Sequence, residues 1–289
     1  MTGERKIAMD GGQPSRTALG AAVHRAVHQV LEGGRIFTDP LALRILGAEA
    51  EAAVRAAQGD PSERRLRLFI AVRSRFAEDA LAAVVAGGVR QLVVLGAGLD
   101  TYACRTPFAE TLRIFEVDRP ATQAWKRERL VAAAIPEPRL LTFAPIDFER
   151  ENLADGLAAA GFDPAQPCFF TWLGVVPYLT EQAVFSTLGF IAGLPGGAHV
   201  VFDYSNPPAA GDDRDEAAAE HEALAARVAA VGENFRSCFE TDALRAKLAA
   251  LGFRDIEDLG PAAIRRRWFA GRGGDLPDRG GHVVRAATV

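Results

Sequence analysis

The chain has 289 residues, 49% of them apolar, which is ample for one large α/β domain with a packed core. Its 33 basic and 37 acidic side chains leave a net charge of -4, so no overall field draws it toward DNA or RNA. The start, Met1 to Lys6, has no apolar signal core and no later stretch is apolar for long enough to span a bilayer, so a soluble, cytoplasmic protein is expected.

Residues 1–14 are polar, carry Gly11-Gly12 and Pro14, and are expected to be a mobile tail ahead of a single domain. Arg16 to Leu31 is alanine-rich and reads as one helix. His24 and His28 lie one turn apart on it, but with no third ligand nearby a metal site is not expected. Phe37-Thr-Asp-Pro40 reads as a helix start, with Asp39 as cap and Pro40 first in the helix that runs to Leu46. Gly59-Asp-Pro61 breaks the chain. Glu63 to Ala86 then forms a long helix bearing Arg64, Arg65, Arg67, Arg73 and Arg75, most of them expected to be solvated.

Gln91 to Leu95 is a short β-branched run bounded by Gly96, as for a strand buried on both faces of a parallel sheet. Gly96 and Gly98 allow a sharp turn and a close approach of ligand to backbone. A second strand, Leu112 to Val117, delivers Glu116 and Asp118 about 20 residues on, the offset of a carboxylate that accepts from ribose hydroxyls. The third glycine of a dinucleotide fingerprint is replaced by Thr101. A nucleoside cofactor without phosphates, such as S-adenosyl-L-methionine, suits this turn better. A ligand-free turn in the core is the competing reading.

Pro120 to Ala134 reads as a helix and Arg139 to Ile146 as a third strand. At its end, Asp147 offers an acceptor for an adenine amino group and Phe148 a backbone N–H; the competing reading of Asp147 is a helix cap. Gly156 to Gly161 is helical, and Cys168 to Leu173 is a strand whose end borders the cleft. Thr180 caps a helix to Ala192, and His199 to Tyr204 is the next strand. Tyr178, Tyr204 and Leu173 are candidate substrate-lining residues, against the plainer reading of tyrosines packed in the core. His199 lies at the wrong end of its strand, so no catalytic base is named.

Residues 206–240 change composition: Pro207-Pro208, a charged run, then a helix from Ala217 to Val231, either an insertion over the active site or a solvated connector. Thr241 is read as the cap of Asp242 to Leu251, which Gly252 ends, and Phe253 to Leu259 with Gly281 to Ala287 as closing strands. The linker with Arg265 to Arg267 and Trp268 reads as a mobile loop, solvated or holding an anionic substrate group. Cys104, Cys168 and Cys238 are odd in number and widely spaced, so each reads as a packing residue and no disulfide or zinc framework is expected.

Three motifs, Val94-Leu-Gly-Ala-Gly-Leu-Asp-Thr101, Phe115-Glu-Val-Asp118 with Pro120 and Lys126, and Trp172-Leu-Gly-Val175 with Tyr178-Leu-Thr180, resemble the leucine carboxyl methyltransferase-like family. This group of class I S-adenosylmethionine-dependent methyltransferases includes O-methyltransferases of polyketide pathways, and the likeness runs from about Ser15 to Tyr204. It implies a Rossmann-like, mostly parallel seven-stranded α/β sheet with helices on both faces. Residues 15–88 would form an N-terminal helical extension, 89–205 the cofactor-binding core, 206–240 a helical lid insertion and 241–289 the closing helix and strands.

The resemblance implies methyl transfer from S-adenosyl-L-methionine to a carboxyl or hydroxyl group of a small molecule, in secondary metabolism. It implies that Arg73, with a guanidinium fork suited to the job, pairs with the cofactor's carboxylate. Arg25 is a possible partner for the same group, or a solvated helix residue. Many relatives carry a glutamate where this chain has Leu173, which bears on the acceptor, and the accepting atom stays open between oxygen, nitrogen and carbon. Two rival readings remain. A nicotinamide-dependent oxidoreductase is opposed by Thr101 and Asp147-Phe148, and a non-catalytic binding protein keeping the fold is left open by Leu173 in place of the glutamate.

Overall fold

The structure, a computed structural model, describes residues 15–147, 151–207, 234–270 and 280–289. The expected tail at 1–14, Phe148 and the expected lid helix from Ala217 to Val231 lie outside the described residues. Seven strands form one sheet: β1 (Gln91–Leu95), β2 (Arg113–Asp118), β3 (Leu141–Pro145), β4 (Cys168–Trp172), β5 (Ala198–Ser205), β6 (Asp255–Leu259) and β7 (Gly281–Ala287). Their order is β3-β2-β1-β4-β5-β7-β6. The first five run parallel, and β7 is antiparallel to both β5 and β6.

The parallel strands are apolar runs because both sheet faces are covered. On one face α4 (Arg64–Ala86) lays Val72, Phe76, Leu81 and Val85 against Leu92, Ile114 and Phe169. On the other, α8 (Glu181–Ala192) and α9 (Thr241–Leu251) bring Val184, Leu188, Leu244 and Leu248 to Val93, Phe170 and Phe202. Burying each such side chain contributes about 1.5–3 kcal/mol. A third apolar cluster joins α1 (Arg16–Leu31) and α2 (Ala42–Leu46) to α6 (Pro120–Ala132) and, through Leu99, to the loop after β1. The N-terminal helices are thereby docked on the glycine turn itself.

Strand order reverses between β1 and β4, which makes their carboxyl ends a topological switch point, the place where open α/β sheets bind ligands. Helices α3 (Glu49–Gly59), α5 (Tyr102–Arg105) and α7 (Leu153–Ala159) complete the layers up to β4.

Several local expectations are corrected. The segment read as a loop holds α10 (Pro261–Trp268), with Pro261 at its first position, and Arg267 pairs with Glu257 at 3.2 Å. Proline at N1 and arginines in the last turn both favour a helix. Thr241 is the first residue of α9 and not its cap, since its Oγ1 accepts from Tyr204 and Asn206. Asp39 does not cap α2 directly: it is 1% exposed and accepts from the Leu41 N–H at 3.0 Å. Cys238 is exposed, while Cys168 is buried as expected of a packing residue.

Candidate functional site

The glycine turn is built by saturating its own N–H groups. Gly96 and Ala97 both donate to the Val117 carbonyl, at 2.8 and 3.1 Å, and Gly98 donates to Asp118 Oδ2 at 2.7 Å. Asp118 Oδ1 accepts from the Arg119 N–H at 2.7 Å. A pyrophosphate cradle needs such N–H groups pointing at the ligand, and here three successive ones are engaged inside the protein. Each Asp118 oxygen keeps a further lone pair, so the half-buried carboxylate can still accept hydroxyl donors. Burial pushes its pKa up, against the two N–H groups that favour the ionised form.

Gly96 and Gly98 have φ of +66° and +48°, the left-handed region that glycine adopts without strain. Their missing side chains also make room: a Cβ on Gly96 would sit 2.4 Å from Val175 Cγ2, and one on Gly98 2.8 Å from Ala18 Cβ of α1.

Thr101, the residue in place of the third glycine, is fully buried and anchors the loop. Its Oγ1 donates to Asp39 Oδ2 at 2.8 Å and accepts from Arg105 Nε at 3.0 Å. Arg105 also forks onto Glu78, whose pKa burial raises despite that partner. Arg25 belongs to the same cluster: it is 8% exposed, donates to the Leu99 carbonyl at 2.6 Å, and its Nε lies 3.5 Å from Asp39. It is therefore not a solvated helix residue but a strut behind the turn. Asp100 sits among these cations. Burial works to raise its pKa, but Arg25, Lys126 and Arg105 together bring it below the ordinary carboxylate range.

Glu116 points into the interior, 1% exposed, with Lys126 Nζ 2.5 Å from its Oε2. Burial raises its pKa even beside that ammonium. Asp147 lies half-buried just past β3, its N–H donating to Glu151 at 2.7 Å. The N-cap of α7 is Asn152 and not Asp147, and the three residues that follow Asp147 lie outside the described residues.

At the end of β4, Gly174 has φ of +71° and lets Arg73 lie against it, where a Cβ would be 2.6 Å from Arg73 Nη2. Arg73 Nη1 donates to Asp203 Oδ2 at 2.7 Å, and Asp203 Oδ1 accepts from the Gly174 N–H at 2.6 Å. Leu173 lines a small recess with Ser74, Glu78, Asp100, Tyr102 and Thr171. Its volume of about 30 Å³ has room for only about two waters. Tyr178 is half-buried, its ring 5.5 Å from that of Phe235.

Tyr204 does not line a cleft. It is 1% exposed and its hydroxyl is satisfied in the core by Asp258 at 2.8 Å and Thr241 at 3.1 Å. His199 is the second residue of β5, at the end of the strand away from the switch point, and stacks on Phe169. The pairings of Asp203 with Arg73, of Asp39 with Thr101 and of Arg105 with Glu78 have no local signal in the sequence, because the partners lie 130, 62 and 27 positions apart.

A doubly wound α/β sheet with a phosphate-free glycine turn and a carboxylate ending the next strand defines a nucleoside-cofactor protein. The leucine carboxyl methyltransferase family model matches residues 18–192, more than half the chain. A Bacillus subtilis protein, provisionally named an S-adenosyl-L-methionine-dependent methyltransferase, is 34% identical over 206 residues, 71% of this chain and 67% of that one. A provisionally so named Frankia alni protein is 37% identical over 185 residues, 62% of this chain and 64% of that one. The matches thus span about two thirds of the relatives' length. A Thermobifida fusca structure, provisionally described as a methyltransferase, shares the fold at a TM-score of 0.55 and 16% identity, over 99% of this chain and 98% of that one. The chain belongs to the leucine carboxyl methyltransferase family, which places it among the S-adenosyl-L-methionine-dependent methyltransferases.

Proposed function

We propose that this chain transfers the methyl group of S-adenosyl-L-methionine to a carboxyl or hydroxyl oxygen of a small molecule, a secondary metabolite being the acceptor class the resemblance favours. The setting is cytoplasmic, and no nucleic acid takes part; among the described residues no helix is long and apolar enough to cross a membrane. The observation that carries the reading is the Asp118 carboxylate, 2.7 Å from the Gly98 N–H beside a turn whose other N–H groups are already engaged.

In this reading Gly96 and Gly98 let the donor approach the backbone, Asp118 accepts from the ribose hydroxyls, and Asp147 with Phe148 holds the adenine. Arg73 takes the carboxylate of the amino-acid end. Arg25 and Glu116 act from behind, Arg25 through Leu99 and Glu116 through Lys126, and support the turn without touching the donor. Leu173 and Tyr178 border the acceptor.

Methyl transfer from a sulfonium is an in-line displacement whose transition state disperses charge, so holding donor and acceptor in line supplies most of the rate. A carboxylate acceptor is already ionised at neutral pH and needs no base; a hydroxyl acceptor needs one within hydrogen-bond reach.

Calorimetry is expected to find S-adenosylhomocysteine binding and no NAD binding. Asp118→Ala should weaken the former by about 1–3 kcal/mol through loss of a charged acceptor. Unchanged affinity would remove Asp118 from the site, and NAD binding would favour the oxidoreductase reading.

A further inference from the structure

The Arg73–Asp203 pair is placed where a simple anion site would not be. Arg73 is 9% exposed and Asp203 3% exposed, at the carboxyl end of β5 beside the switch point. Among the described residues the guanidinium uses one of its five N–H donors, on Asp203. Asp203 uses two of its roughly four acceptor sites, on Arg73 and on the Gly174 N–H. Both groups therefore keep unused capacity at the same spot. The pair is tied to the glycine turn through two consecutive residues: Gly174 is in contact with Arg73, and Val175 lies against Gly96.

An anion docking on the free edge of Arg73 would come close to a second negative charge, because Asp203 Oδ2 is only 2.7 Å from Nη1. In a poorly solvated site that repulsion opposes binding. A ligand carrying an ammonium next to its carboxylate reverses the balance, since the ammonium can turn to Asp203 while the carboxylate meets Arg73. The pair is thus a neutral couple matched to a zwitterion and mismatched to a plain carboxylate.

We infer that Asp203 is a specificity-determining residue that accepts the α-ammonium of the methyl donor and, with Arg73, selects the zwitterionic amino-acid end of that molecule. This rests on the proposed binding of S-adenosyl-L-methionine. It supplies a carboxylate beside the β4 end, where Leu173 offers none.

The test compares S-adenosylhomocysteine with its deaminated analogue, in which hydrogen replaces the α-ammonium, by calorimetry on the full chain. The wild type should bind the zwitterion about tenfold or more tightly than the analogue, as expected for a charge-assisted hydrogen bond. In Asp203→Asn that ratio should collapse to about one, with the analogue itself binding more tightly once the repulsion is gone. A ratio unchanged in Asp203→Asn, or a wild type that binds both ligands equally, overturns the inference, and the second result needs no variant to fold. Arg73→Gln separates this from the underlying reading: it should weaken both ligands and leave 5′-methylthioadenosine, which has no amino-acid end, unaffected. Absence of any S-adenosylhomocysteine binding sinks the proposed function itself, whereas binding with an unchanged ratio sinks only the role of Asp203.

Discussion

Gly96→Ala is expected to destabilise the fold by about 2–5 kcal/mol and to abolish binding of S-adenosylhomocysteine. Two costs add. With φ at +66°, an alanine there must adopt the left-handed region, at about 1–2 kcal/mol. Its Cβ would also sit 2.4 Å from Val175 Cγ2, and a β-branched side chain cannot swing away cheaply, so overpacking adds about 1–3 kcal/mol. Pushing Val175 moves Gly174, against which Arg73 and Asp203 are set. Urea unfolding and calorimetry read both effects. Adding Val175→Ala should recover the packing part and leave the backbone part. A single variant as stable as the parent would show that the turn is not constrained as described.

Lys126→Met should cost about 3–5 kcal/mol, because it leaves Glu116 buried without its cation. The penalty should grow with pH. Burial already holds the Glu116 pKa above the ordinary carboxyl range, and losing the ammonium raises it further. Between the unfolded and folded values the folded state binds the extra proton, so stability falls as pH rises through that window. The double variant Glu116→Gln/Lys126→Met should recover most of the loss and remove the pH dependence. If Lys126→Met instead left stability intact while weakening cofactor binding alone, Glu116 would belong to the ligand and not to the interior.

Much of this architecture is legible in the sequence for a physical reason. Strands covered on both faces, such as Gln91–Leu95 and Cys168–Trp172, read as mostly apolar runs, each with a single polar residue, bounded by turn residues. The turn announces itself through Gly96 and Gly98, and Thr101 marks it as phosphate-free. What is illegible is charge pairing across the chain. Arg73 meets Asp203 130 positions away, and Thr101 meets Asp39 62 positions away, separations at which no local periodicity survives. The same holds for Tyr204, which as a strand-end tyrosine suggests a cleft wall until Asp258 and Thr241 are folded against it. Helix α10 was hidden by its arginine run and neighbouring glycines, although Gly260-Pro261 is a fair start signal.

The function proposed for this chain depends on where the adenosyl donor sits. A crystal structure of the chain with S-adenosylhomocysteine tests this most directly. It should show the ribose hydroxyls on Asp118, the adenine beside Asp147 and the amino-acid end on Arg73. A nucleoside bound away from the Gly96–Gly98 turn, or an Asp118 that makes no contact with it, would contradict the assignment.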